Sequence, residues 1–380
     1  MAGKHFNKRD FLKSGFLGAC GAWMVGHGIS LKALPAGMPD GVKDKHVRRA
    51  MFNTPTARGV KCQICPNECQ IEEGEHGDCR TRWNRDGTLY TIAYGNPCAV
   101  HVDPIEKKPL YHFLPQSKAF SIATAGCNLA CLNCQNWEIS QASPLNTRNH
   151  DLMPEAVVQA AEEYNCRSVA YTYSDPVAFY EYTYDTAKIA HVQGIKNVMV
   201  SAGYINREPL RELTRYIDAA NIDLKSYSKE IYEMLNAGTL QPVLDTLKFL
   251  RDEGVWLEIT NLVVPEWTDD MDMIRRMCDW LASGGFEDCP LHFSRFHPQH
   301  KLAQLPATPF KTLEAAHRTA KSSGMKFVYI GNVPDATAQH TFCPACGETV
   351  LRRRGFFLLE NHITGGKCRF CGETVAGVWS

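Results

Sequence analysis

Residues 119–140 read AFSIATAGCNLACLNCQNWEIS. AFSIAT is a short β-branched and aromatic run of the kind that forms a strand. Three cysteines follow at once, Cys127, Cys131 and Cys134, in C-x3-C-x2-C spacing. Most tetrahedral metal sites use four protein ligands. Here the chain offers three thiols and stops, although it contains 16 cysteines in all.

Outward from this stretch a pattern repeats. SVAYTY, NVMVS, AANIDL, VWLEITNLVV, LHFSRF and KFVYIG read as strands. Between them stand MPEAVVQAAEEY, PVAFYEYTYDTAKIAHVQ, PLRELTRYI, QPVLDTLKFLRDEG, DMDMIRRMCDWLA and PFKTLEAAHRTAKSSG, whose apolar residues recur at helical intervals. Gly194, Gly254 and Gly324 stand where such helices stop. Strand–helix–strand repeats predict an α/β fold with parallel strands and crossover helices. About six or seven such units can roll into a full or partial barrel, with a doubly wound open sheet as the alternative. In both, chemistry belongs at the C-terminal ends of the strands, which puts the three-cysteine loop above the first one.

Composition narrows the class. The chain of 380 residues is 44% hydrophobic and 22% charged, as in ordinary globular proteins. Its formal net charge is zero, so no nucleic-acid partner is expected. No apolar run has the length of an ordinary transmembrane helix. Eleven of the 16 cysteines fall into three tight clusters. C-x2-C pairs point to metal rather than disulfides, because a short turn aims two thiolates at one ion.

The sequence therefore divides into a barrel over residues 116–335 and a cysteine-rich metal-binding module at each end. Cys62, Cys65, Cys69 and Cys79 belong to the first module, residues 56–115, and suit zinc or an auxiliary iron–sulfur cluster, zinc being the first choice. Cys343, Cys346, Cys368 and Cys371 belong to the second, residues 340–380, where CPACGETV and CRFCGETV are near-repeats. Two such knuckles resemble a zinc ribbon with a closed four-thiolate site, which rubredoxin-type iron would also fit. Arg352, Arg353 and Arg354 between them read as a solvated face.

Three thiolates at the spacing of Cys127, Cys131 and Cys134 can hold three irons of a 4Fe–4S cube and leave the fourth without a protein ligand. The alternative is a zinc site completed by a distant His or Cys. The motif and its position after the first strand resemble the radical S-adenosylmethionine superfamily. That resemblance implies a partial (β/α)6-type barrel with S-adenosylmethionine chelating the open iron through its amino and carboxylate groups. It also implies one-electron cleavage to methionine and a 5′-deoxyadenosyl radical, which takes a hydrogen atom from a substrate. DPIEKKPLYHFLP, AYTYSDP, NIDLKSY, VPEWTDD, FHPQHKLAQLPATP and FVYIGNV further resemble the radical enzyme of the AmmeMemoRadiSam system. That branch is similar to pyruvate formate-lyase activating enzymes, glycyl-radical activases, and the likeness covers essentially everything after residue 55. It implies a protein or small-molecule substrate, AmmeMemoRadiSam partner proteins, and a low-potential electron donor such as flavodoxin or ferredoxin.

Cofactor contacts follow from the same resemblance. Ser174 and Asp175 are expected to meet the methionine amino group, although the family more often carries Glu before this proline. Serine or aspartate before proline is also good helix-capping chemistry. Ser201 ends the third strand beside Gly203. Asp223 and Lys225, two apart on one strand, share a face and are expected to meet the ribose and the methionine carboxylate; a surface ion pair is the alternative. His297 and Asn332 stand at the last two strand ends. Asn133 occupies a position often aromatic in the superfamily, for which Trp137 is a candidate substitute.

Asn7-Lys8-Arg9-Asp10-Phe11-Leu12-Lys13 resembles a twin-arginine export signal, giving a leader over residues 1–37. The leader points to export or membrane association, whereas unbridged thiols and low-potential chemistry point to the cytoplasm. A non-enzymatic iron–sulfur or zinc protein for electron transfer or partner binding is the other reading; simple electron carriers normally close their clusters with four cysteines.

Overall fold

The computed structural model describes residues 39, 41–334 and 337–380. The expected leader lies outside them. No helix among the described residues is long and apolar enough to cross a membrane.

At the centre is one eight-stranded sheet. Its strands are β1 (Ala99–Pro104), β2 (Lys118–Ala123), β3 (Ser168–Tyr171), β4 (Lys196–Ser201), β5 (Ala219–Asp223), β6 (Trp256–Val263), β7 (Leu291–Arg295) and β8 (Val328–Gly331). They lie in sequence order across the sheet, with β2 to β8 parallel and β1 antiparallel on the edge of β2. The seven parallel strands are those expected. The antiparallel edge was not expected, because AVHVDP lacks a clean apolar alternation and leaves most of its residues half-buried.

Helices cross between the parallel strands: α1 (Pro154–Glu163), α2 (Tyr180–Val192), α3 (Arg207–Thr214), α4 (Lys229–Asn236) with α5 (Leu240–Asp252), α6 (Met271–Ser283) and α7 (Phe310–Ser322). They cover the sheet, which is why every residue of β3 is buried and its sequence shows no alternation. α2, α5 and α7 do stop at glycine: Gly194, Gly254 and Gly324 have φ of +75°, +73° and +99°. That left-handed backbone costs least without a Cβ. The ends β1 and β8 do not pair, so the barrel is partial.

The N-terminal segment adds two small three-stranded sheets. It is fastened to the barrel by Arg82, whose guanidinium forks onto Glu181 of α2 at 2.9 and 3.0 Å. Both side chains are buried, and Glu181 also accepts from the Met51 amide. The C-terminal segment docks at the other side. His112 Nδ1 donates to the Ala376 carbonyl at 2.6 Å, and its Nε2 accepts from the Tyr329 hydroxyl of β8. Arg353 departs from the solvated face expected of its run. It is buried, donates to Thr341 Oγ1 and the Tyr111 carbonyl, and lies over the Tyr111 ring, while Arg352 and Arg354 are exposed.

Candidate active site

The loop after β2 carries the three cysteines, and α4 holds it. The last carbonyls of a helix lack intrahelical partners. Here Leu235 and Asn236, at the end of α4, accept the amides of Leu132 and Ala130 at 2.9 and 3.1 Å. Asn236 Nδ2 also donates to Cys131 Sγ at 3.3 Å, and the Leu129 amide points at Cys127 Sγ at 3.4 Å. N–H groups directed at sulfur favour the thiolate and tune any cluster it ligates. Gly126, with φ of +104°, lets the loop pass close to the N-terminal module; a Cβ there would lie 2.4 Å from the Cys79 carbonyl oxygen.

Cys127, Cys131 and Cys134 face a cavity of about 700 Å³. Residues at the ends of β3 to β8 line it, so the sheet curls around it. The volume lies within the ~300–1,000 Å³ common for small-molecule and cofactor sites. Ser174, Asp175, Ser201, Asp223, Lys225 and Asn332 all line it with the thiols. His297 does not; it is exposed and approaches the Asn332 carbonyl at 3.4 Å. Trp137 does not line it either, since its ring stacks on His300 at 5.2 Å. Asn133 does, and its Oδ1 is buried without a hydrogen-bond partner.

The lining carboxylates differ. Asp175 Oδ1 accepts from the Val177 amide at 3.1 Å and Ser201 Oγ at 3.0 Å. Its Oδ2 accepts from the Ala202 amide at 2.9 Å and the same hydroxyl at 3.2 Å. Three donors meet this carboxylate: two amides and one hydroxyl whose single proton is shared between its oxygens. Burial raises the pKa of this acid, against those donors. Asp175 thus joins the segment after β3 to the end of β4 while lining the cavity. Ser174 Oγ donates to the Thr124 carbonyl at 2.8 Å. Asp223, by contrast, is only partly buried and pairs with Lys225 at 2.8 Å. Burial acts against the Lys225 charge, but Asp223 and then Cys131 hold its pKa well above the usual lysine value. Burial also pushes the Cys127 and Cys131 thiols up, and Lys225 pulls Cys131 back.

Sequence reasoning missed two groups on the cavity wall. Lys108, fully buried, donates to Asp103 Oδ2 at 2.7 Å and to the Tyr173 hydroxyl at 3.3 Å. Burial draws its pKa down to about 8. His292 pairs with Glu258 at 2.7 Å, both buried, and Glu258 also takes the Tyr111 and His112 amides. The signals available were DPIEKKPLYHF and a Glu inside β6; neither reveals which distant residue completes the pair.

The two end modules differ in how their sulfurs gather. Cys343 and Cys371 lie 3.6 Å apart, and Cys346 and Cys368 lie 3.8 Å apart. Four sulfurs around a zinc ion at ~2.3 Å are separated by ~3.8 Å. The near-repeats also share a backbone: Gly347 and Gly372 donate to the carbonyls of Cys343 and Cys368 at 3.0 and 2.8 Å. Among the described residues, this is the only group of three or more possible ligands whose donor atoms all lie within 4.8 Å. Cys62, Cys65, Cys69 and Cys79 surround one small space without gathering so tightly.

Residues 121–278, from β2 to α6, match the radical SAM superfamily. An uncharacterized protein of Methanocaldococcus jannaschii is 43% identical over 318 residues, covering 83% of this chain and 95% of that protein. The chain belongs to the radical SAM superfamily. Membership implies a 4Fe–4S cluster and S-adenosylmethionine, and the residues present suit both: thiols with N–H groups aimed at their sulfurs, a polar cavity, and an orphan acceptor at Asn133. Pyruvate formate-lyase 1-activating enzyme of Escherichia coli is 28% identical over 221 residues, covering 54% of this chain and 89% of that enzyme. Among solved structures, a domain of a pyruvate-formate lyase-activating enzyme from Bacteroides vulgatus aligns with a TM-score of 0.39 at 17% identity, over 43% of this chain and 99% of that one. A radical SAM methyltransferase from Sphaerobacter thermophilus aligns with a TM-score of 0.45 at 12% identity, over 60% of this chain and 71% of that one.

Proposed function

We propose that Cys127, Cys131 and Cys134 ligate the 4Fe–4S cluster of this radical SAM enzyme and that Asp223 and Lys225 orient S-adenosylmethionine beside it. When bound, the pair of cofactors supplies reductive cleavage to a 5′-deoxyadenosyl radical, which takes a hydrogen atom from a protein or small-molecule substrate. One observation carries this reading: three thiols from one loop and a partly exposed acid–base pair from β5 share a single cavity at the strand ends.

Lys225 offers its ammonium to the methionine carboxylate, and Asp223 offers its free lone pairs to the ribose hydroxyls. Ser174 presents its hydroxyl oxygen to the methionine amino group. Asp175 is a positioning residue: it fixes Ser201 and the Ala202 amide, and through them the shape of the wall. The unpartnered Asn133 Oδ1 is an acceptor for the adenine amino group, a polar substitute for an aromatic contact. Lys108 and Tyr173 form the wall nearer β1 and face the substrate side. The C-terminal quartet holds structural zinc. Similarity to the Escherichia coli enzyme supports an activating-enzyme-like role, with flavodoxin or ferredoxin as donor. The motifs after residue 55 support a place beside AmmeMemoRadiSam partner proteins.

Anaerobic reconstitution with iron and sulfide, followed by dithionite and S-adenosylmethionine, tests the reading. Methionine and 5′-deoxyadenosine are expected in equal amounts. A protein with its full cluster that forms neither overturns the proposal.

A further inference from the structure

The N-terminal quartet has no part in the function proposed above. Cys62, Cys65, Cys69 and Cys79 line one small space together with Arg82 and Asn128. Cys62, Cys65 and Cys79 are buried, and Cys69 is partly exposed. The sequence alone makes zinc the first choice; two observations point elsewhere.

The first is the spread of the sulfurs. One tetrahedral ion draws four thiolates to within ~3.8 Å of each other. The C-terminal quartet has that geometry already, whereas the N-terminal quartet and the barrel trio do not. A four-iron cube seats each thiolate on a separate iron and so keeps the sulfurs farther apart. In this respect the N-terminal quartet goes with the trio.

The second is position. Asn67, between Cys65 and Cys69, donates to the carbonyl of Asn128 at 2.9 Å, and Asn128 directly follows Cys127. The Cys79 carbonyl lies against Gly126, which directly precedes Cys127. The segments that carry the two groups of cysteines therefore meet on both sides of Cys127. Arg82, buried and paired with Glu181, also lines this space.

We propose that Cys62, Cys65, Cys69 and Cys79 hold a second 4Fe–4S cluster that relays electrons to the cluster on the barrel trio. The proposal rests on the trio holding a cluster. A reduced donor of the flavodoxin or ferredoxin class loses one electron at the face where Cys69 reaches solvent. The N-terminal cluster is reduced by that electron and reoxidised as it passes on to the trio; no atom or proton moves.

The test uses the full chain, reconstituted anaerobically. Roughly eight irons, eight sulfides and one zinc per chain are expected. Roughly four irons with two zincs per chain overturns the proposal and leaves the proposed function standing. No bound iron and no 5′-deoxyadenosine overturns both. A Cys127→Ala/Cys131→Ala/Cys134→Ala variant is expected to keep roughly four irons and an electron paramagnetic resonance signal on reduction; an iron-free variant with added zinc contradicts the second cluster. For the relay, Cys69→Ser is compared with the unaltered chain. Reduction of the trio cluster by flavodoxin is expected to slow at least ~10-fold while dithionite-driven cofactor cleavage persists. An unchanged rate with flavodoxin overturns the relay.

Discussion

Cys343, Cys346, Cys368 and Cys371 bring four thiols within 4.8 Å, on two knuckles with matching backbone hydrogen bonds. Cys127, Cys131 and Cys134 lie more widely spaced, on a loop facing a cavity of about 700 Å³. The ligand atom is the same in both. The difference lies in what each fold region does around it. The C-terminal knuckles close on themselves and need a staple, because some forty residues bury little core. The barrel loop is already fixed by α4, so its sulfurs are free to serve chemistry.

The sharpest way to break this comparison is to exchange the consequences of losing a ligand. Cys131→Ala is expected to lower 5′-deoxyadenosine formation by more than ~10³-fold, with little change in thermal stability. Cys368→Ser is expected to do the reverse: the C-terminal metal is lost, with on the order of 10 kcal/mol of metal-linked folding energy. Limited proteolysis should then cut within residues 340–380 while iron stays bound. A Cys131→Ala protein that melts early, or a Cys368→Ser protein that keeps its C-terminal fold, would sink the division of labour.

His112 sharpens the comparison at the seam between the two regions. It is fully buried and neutral, and burial lowers its pKa from 6.5 to about 4. The unfolded chain therefore binds the extra proton first as pH falls. The stabilisation is complete above pH 6.5 and is lost between there and about pH 4, amounting to about 3 kcal/mol. Chemical denaturation at pH 7.5 and pH 4.5 should show that loss, and His112→Gln should reduce it. The smallest expected effect concerns the open site. Lys225→Met should cost about 2 kcal/mol, or roughly a 30-fold higher KM for S-adenosylmethionine, at unchanged iron content. An unchanged KM would remove Lys225 from the cofactor site.

Much of this is legible in the sequence. Parallel strands buried on both faces, helices ending at glycine and three clusters of cysteines are local patterns, and local patterns survive in sequence. β1 was not legible, because an edge strand with half-buried residues has no strong periodicity. The bonds of Asp175 were not legible for a different reason. Its chemistry suits a ligand, and only tertiary structure shows that Ser201 and the Ala202 amide, at the end of β4, already donate to it. Lys108 with Tyr173, His292 with Glu258 and buried Arg353 were missed on the same ground. Trp137 was the opposite error: proximity in sequence suggested a substitute that stacks on His300 instead.

The most direct measurement is electron paramagnetic resonance of the reduced protein with and without S-adenosylmethionine. An iron without a protein ligand predicts that the signal of the trio cluster changes and saturates stoichiometrically as the cofactor is added. A spectrum that stays the same at saturating cofactor would mean that every iron is already closed, and would contradict the open site.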